Sequence, residues 1–227
     1  MKLAGFAVHV LTGLGAVCAL FAVEAVFAAA WSQAFMWLGA AFLIDGIDGP
    51  IARAVNVKAN LPRYSGERID LVIDYITYVF VPVLMLLMAD RLPSGAGAWL
   101  GGLVLLSSLF HFSDVESKSE DLSFVGFPAI WNLVAFYIFA MDMGPIAASV
   151  LIVVCVLLTF VPLHWVHPLR VVEMRPVTFV ATVAWSAAAL WSVMAGFPPP
   201  WPAQLVLAGV AIYGIALSLW LSRGLLR

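Results

Sequence analysis

Of the thirteen acidic residues in this 227-residue chain, four lie within or beside long apolar runs: Asp45 and Asp48 close one run, and Asp70 and Asp74 open the next. Residues three or four apart share one face of a helix, so each pair presents its two carboxylates in one direction. Fourteen largely apolar residues, Trp31 to Ile44, precede the first pair, and fifteen, Tyr75 to Ala89, follow the last. At a helical rise of about 1.5 Å per residue these segments cover about 21 and 22 Å, which puts both pairs at one depth. Four carboxylates can then converge between two antiparallel helices. Only Arg53 and Arg68 are near them in sequence, so the acids repel one another unless divalent cations intervene. An all-oxygen set without His or Cys suits Mg²⁺ or Mn²⁺, and four carboxylates hold two ions. Metal-bridged carboxylates facing phosphate are an apparatus for phosphoryl transfer. Two other readings exist: helix-end charges paired with Arg53 and Arg68, or an ion pathway in a transporter. The shared depth and one-face spacing of all four acids favour the metal reading.

The elements that position these acids follow from composition. Apolar residues make up 64% of the chain and charged ones 11%, against about 45–50% and about 25% in soluble domains. A soluble globule, a disordered chain and a nucleic-acid partner are thereby set aside. A membrane span needs about 20 apolar residues, and the sequence offers eight such stretches, near 8–30, 32–53, 67–89, 94–112, 123–141, 145–163, 177–196 and 204–222. Pro62, Pro93, Pro176 and the Pro198-Pro199-Pro200-Trp201-Pro202 run fall between them, where helices should stop. The expectation is an all-α, polytopic membrane bundle of eight transmembrane helices, forming one domain over residues 1–227. Lys2 and the Ala28-Ala29-Ala30 run allow the first stretch to be a cleaved signal, but its apolar run exceeds the usual 7–15 residues and it is read as a span. Cys18 and Cys155 lie inside apolar stretches and suggest neither a disulfide nor a zinc site.

Charge sets the orientation. With a cytosolic amino terminus, ten of the eleven Lys and Arg residues fall on the inner side and only Arg91 on the outer. Both termini and the segments 54–66, 113–122 and 164–176 are therefore expected in the cytosol.

Written out, the acidic region reads Asp45-Gly-Ile-Asp48-Gly49-Pro-Ile-Ala52-Arg53, twelve residues, then Gly66-Glu-Arg-Ile-Asp70-Leu-Val-Ile-Asp74. This resembles the signature of the CDP-alcohol phosphotransferase family at all eight fixed positions, with a spacer longer than most of that family has. The longer spacer, the segment from Phe112 to Asn132 and the Val166-His167-Pro168-Leu-Arg170 stretch are similar to a bacterial subgroup that transfers a phosphatidyl group from CDP-diacylglycerol to free choline and releases CMP. The resemblance implies that Asp45, Asp48, Asp70 and Asp74 bind the metal ions, Mn²⁺ or Mg²⁺, and that Asp74 also serves as general base. It implies a CDP-diacylglycerol pocket of Asp45, Asp48, Gly49, Ala52, Arg53, Gly66 and Asp70. An inner-membrane enzyme with its site facing the cytosol, and a homodimer, are expected on the same ground. Serine, inositol or glycerol 3-phosphate are the alternative alcohols. The scarcity of basic residues near the cluster favours a cationic alcohol.

A quaternary ammonium is held by aromatic faces rather than by hydrogen bonds. Tyr75 and Tyr78, just past the base, are the nearest candidates in sequence, followed by Trp131 with Asn132. Glu24 is read as a buried acid toward the outer side, more suited to structural pairing than to choline. His9 and His111 are expected as interfacial or hydrogen-bonded core residues. His164 and His167, beside Arg170 and Arg175, are candidates for cradling lipid phosphate, and the loop from Asp114 to Asp121 is a solvated connection that could gate headgroup entry.

Overall fold

A computed structural model describes residues 2–114, 124–165 and 174–223. Helices α1 (Lys2–Phe27) and α2 (Trp31–Ala54) are joined by a tight turn. Ala29 is left-handed there, with φ of 52°, and the Ala30 N–H donates to Ala25 O at 2.9 Å. Left-handed Asn56 ends the next connection's first turn, and a short helix α3 (Val57–Asn60) follows, pinned by Asn60 Nδ2 donating to Val55 O at 2.8 Å. After Pro62 the chain starts α4 (Gly66–Asp74), where Ser65 Oγ accepts from the Arg68 N–H and caps one of the free amides.

Helix α4 runs on without interruption through a π-helical segment, Tyr75–Phe80, into α5 (Val81–Met88). Then come α6 (Gly97–Ser113), α7 (Trp131–Ala140), α8 (Pro145–Thr159), α9 (Arg175–Ala195) and α10 (Trp201–Ser222). Each of the eight expected apolar stretches contains a helix. Five rods are long and apolar enough to cross a bilayer: α1, α2, the α4-to-α5 rod, α9 and α10; α6, α7 and α8 are shorter apolar helices. The molecule is an all-α polytopic membrane protein. Helix α1 packs against α2, α4 and α5, so it is an integral part of the bundle.

Two boundaries differ from expectation. The fifth helix starts at Trp131, not near 123, because Gly126 (φ 78°), Pro128 and Ala129 (φ 52°) hold the preceding chain out of helical geometry. Phe124–Val125 instead forms a two-residue antiparallel ladder with His164–Trp165. The sixth helix stops at Thr159, and carbonyls in and beyond its last turn are used by its neighbour: the Phe127 N–H donates to Leu158 O and the Gly126 N–H to Leu163 O, both at 2.9 Å. Backbone groups at membrane depth need such partners.

The core centres on the π segment, α5 and α7. Val79, Met85, Leu86, Trp131, Ile138 and Phe139 are all essentially inaccessible. Leu20, Met36, Leu43, Leu103, Ile146 and Leu205 point outward instead, the arrangement a lipid environment permits. At one end of the bundle Arg91 Nη1 donates to Asp142 Oδ1 at 2.8 Å and to Met143 O at 3.2 Å, while Gln204 Nε2 donates to Ala140 O at 3.0 Å. These bonds place the turns after α5 and α7 and the start of α10 on one side, as the charge count requires.

Candidate active site

The site lies toward the other end, where α2 terminates and α4 begins. The residues of helix α1 form its floor. Gly15 lets α4 approach so closely that an added Cβ would stand 2.7 Å from Ile73 Cγ2, the close contact that small residues allow between membrane helices. Ile73 lies between Asp70 and Asp74, so this contact seats the stretch of α4 that carries both carboxylates against α1. One carboxylate oxygen from each of Asp45, Asp70 and Asp74 falls within 4.8 Å of the others. A small cavity with room for about one water-sized sphere is walled by these three together with Asp48, Thr12, Gly15, Ala41, Ile44, Ile73 and Thr77.

Asp48 stands apart from the three-carboxylate group but lines the same cavity. It is buried, at 6% exposure, and its Oδ2 has no hydrogen-bond partner among the described residues. Leaving a buried carboxylate oxygen unpaired is costly. The Thr12 hydroxyl on the same wall donates to Val8 O at 3.2 Å. Three converging carboxylates and a fourth with an orphaned oxygen form a hard, all-oxygen donor set that can hold a metal ion.

The remaining signature residues lie at the end of α2 and the start of α4, and none of them lines the small cavity. Arg53 is exposed at the end of α2 and its guanidinium lies over Gly49, where an added Cβ would be 3.5 Å from Nη1. Ala52 is half-buried beside it. At Gly66 an added Cβ would meet His9 Cε1 at 3.3 Å, so the glycine at the start of α4 makes space for an imidazole from α1. His9 itself is buried, packs edge-on to Tyr64, and has no partner for Nε2 among the described residues.

The aromatic candidates have definite positions, none on the cavity wall. The Tyr75 hydroxyl donates to Leu105 O at 2.9 Å and its ring meets Phe112 edge-on. Trp131 is fully buried, donating from Nε1 to Ser108 Oγ at 2.8 Å, and Asn132 Oδ1 accepts from the Leu133 N–H. The Tyr78 phenol donates to Asp45 Oδ2 at 2.6 Å, a contact that sequence spacing did not suggest. Its clue was Pro82, which lacks the N–H that would bond the Tyr78 carbonyl in a regular helix.

Glu24 is exposed on α1 near its C-terminal end, not buried, because it lies on the face away from the neighbouring helices. His111 is buried in α6. The His164 side chain, His167, Arg170 and the loop residues 115–123 lie outside the described residues, while Asp114 and Arg175 are exposed at helix ends.

Fold and site together define a polytopic membrane protein that carries the eight-position CDP-alcohol phosphotransferase signature around a shared acidic hollow. No protein-family profile matches the chain. Among curated proteins it is 40% identical over 222 residues to a phosphatidylcholine synthase of Bradyrhizobium diazoefficiens, covering 98% of this chain and 80% of that one. It is 36% identical over 217 residues to one of Rhizobium meliloti (95% and 88% covered) and 39% identical over 184 residues to one of Pseudomonas aeruginosa (81% and 77% covered). The chain belongs to the phosphatidylcholine synthase family, a family of membrane transferases acting on lipid.

Proposed function

We propose that this protein transfers the phosphatidyl group of CDP-diacylglycerol to choline, releasing CMP, at the cytosolic face of a bacterial inner membrane. The observation that carries the reading is the meeting of Asp45, Asp70 and Asp74 in one small cavity with the unpartnered Asp48 Oδ2. Two divalent ions, Mn²⁺ or Mg²⁺, held by the four aspartates would neutralise charge on the diphosphate and on departing CMP. Arg53, at the end of α2 with its guanidinium over Gly49, has the fork geometry to grip a phosphate, and Gly49, Ala52 and Gly66 are the proposed lining of the nucleotide pocket.

Asp74 is the proposed general base. Its carboxylate takes the proton of the choline hydroxyl, the hydroxyl oxygen bonds to the lipid-bearing phosphorus, and the bond from that phosphorus to CMP breaks with the electron pair going to CMP. No covalent enzyme intermediate is required. Placing the hollow at the end of α2 and the start of α4 lets acyl chains stay in lipid while the headgroup reacts at the boundary. For the quaternary ammonium we favour the half-buried Tyr75 ring, since a cation needs only an aromatic face and the hydroxyl is already bonded to Leu105 O. Trp131 and Tyr78 also have their polar atoms engaged, so any choline contact from them uses the ring alone.

The test is purified protein with CDP-diacylglycerol, Mn²⁺ and a panel of labelled alcohols, following lipid product and CMP together. Choline-dependent product with matching CMP is expected. Equal turnover of serine, inositol or glycerol 3-phosphate would remove the choline assignment, and no turnover of any alcohol would remove the transferase reading.

A further inference from the structure

The aim of Asp45 is set from outside its own helix. Its Oδ2 accepts the Tyr78 phenol at 2.6 Å, a length typical of a charge-assisted O–H to carboxylate bond. Tyr78 is 9% exposed, and its ring is flanked by Phe42 at a centroid distance of 6.4 Å, so the phenol has little freedom to leave. We infer that Tyr78 is a positioning residue that fixes the Asp45 carboxylate for divalent-cation binding. The inference rests on the metal role proposed above for the aspartates.

Two observations support it. A carboxylate that accepts a hydrogen bond on one oxygen loses rotation about its Cβ–Cγ bond, so its remaining lone pairs keep one direction. That matters here because Asp45, Asp70 and Asp74 carry like charge within 4.8 Å, and an unanchored carboxylate would swing away from its neighbours. Metal-binding carboxylates are in general held by just such outer partners.

The backbone is also irregular where it delivers the phenol. Tyr78 lies within the π segment Tyr75–Phe80, where the Val81 N–H reaches back to Ile76 O and the Thr77 hydroxyl donates to Ile73 O at 3.0 Å. The widened turn changes the direction of every side chain beyond Asp74, and such bulges recur at functional sites. A regular helix through this segment would present Tyr78 in a different direction from the one observed.

The competing role, a ring face for the quaternary ammonium, is separable because Tyr78→Phe keeps the ring and removes only the hydroxyl. Mn²⁺ binding to the detergent-solubilised protein, measured by titration calorimetry without substrates, should weaken about 10–100-fold in Tyr78→Phe. The Mn²⁺ concentration for half-maximal activity should rise in parallel, with the KM for choline at saturating Mn²⁺ within about twofold of wild type. Adding Tyr78→Phe to Asp45→Asn should weaken Mn²⁺ no further, because the anchored group is gone. Thermal unfolding without Mn²⁺ identifies any variant that is misfolded, and in that case the comparison moves to Tyr78→Trp, which also retains an aromatic face without the phenol. Unchanged Mn²⁺ affinity in the folded variant overturns the inference, as does a raised choline KM with normal metal affinity. A wild-type protein that binds no Mn²⁺ overturns it too, whereas one that binds Mn²⁺ but makes no phosphatidylcholine overturns the proposed function alone.

Discussion

The two ends of helix α2 face opposite demands. Near its start Phe35 meets Phe136, Phe139 and Phe197 with ring centroids 4.9–5.6 Å away, and the polar groups close by are paired, Arg91 with Asp142 and Gln204 with Ala140 O. Ten residues on, about 15 Å along the helix, Asp45 faces two more carboxylates and Asp48 keeps an oxygen without a partner. An unsatisfied buried acceptor costs on the order of 1–3 kcal/mol, and packing an aromatic residue in its place would relieve that cost. The first end holds the bundle together; the second keeps like charges close together and one oxygen unsatisfied, a cost that a bound cation would relieve. Substitutions at the second end should therefore affect turnover more than stability, and those at the first end the reverse.

The strongest break is Asp74→Asn. The amide keeps the shape but neither accepts the substrate proton nor adds charge to a metal site, so CMP release should fall by about 10²–10⁴-fold. The apo protein should stay folded, because one of three like charges within 4.8 Å is gone. A large drop in melting temperature accompanying the loss would mean that Asp74 is structural.

A matched pair of glycines tests the comparison without touching any polar group. An alanine Cβ at Gly15 would lie 2.7 Å from Ile73 Cγ2, and one at Gly101 would lie 2.9 Å from Val83 Cγ1. Both neighbours are β-branched and stiff, so each substitution should destabilise the protein by about 1–3 kcal/mol, measured by thermal unfolding in detergent. They should differ in turnover. Ile73 sits between Asp70 and Asp74, so Gly15→Ala shifts the carboxylates and should lower kcat by about 10–100-fold. Gly101→Ala, at the α5 and α6 contact, should leave the activity of the folded fraction near wild type. Equal losses in both would show that the hollow is no more sensitive than the rest of the bundle.

The carboxylate positions could be read in the sequence because a charge in an apolar helix is costly, and because helical spacing and rise then fix its face and depth. The helix positions were legible for the same reason, since each expected apolar stretch holds a helix, although only five rods among the described residues are long enough to cross a bilayer. Other features depend on which face of a helix meets a neighbour, which apolar flanks do not reveal. Glu24 has the same kind of flanks as Asp48, yet it faces outward and Asp48 faces the cavity. The chain from 124 to 130 is as apolar as a helix, and Gly126, Pro128 and Ala129 keep it from being one. The bond from Tyr78 to Asp45 spans thirty-three residues and passes through a π turn whose sole sequence trace is Pro82.

The smallest expected effect belongs to the first end of the bundle. Asp142→Asn removes the charge from a 2.8 Å ion pair, but Asp142 is 58% exposed, and pairs so open to solvent contribute at most about 1 kcal/mol. Arg91 would still donate to Met143 O and lie over the Phe139 ring at 5.3 Å, so the turn should keep its place. The melting temperature should drop slightly, the difference should shrink as salt is raised, and choline transfer should be unchanged. Arg91→Met removes all three contacts at once and should cost more than Asp142→Asn at every salt concentration, still without lowering kcat. If either variant stayed folded and lost turnover, the aromatic end would be coupled to the chemistry and the division of labour along α2 would fail.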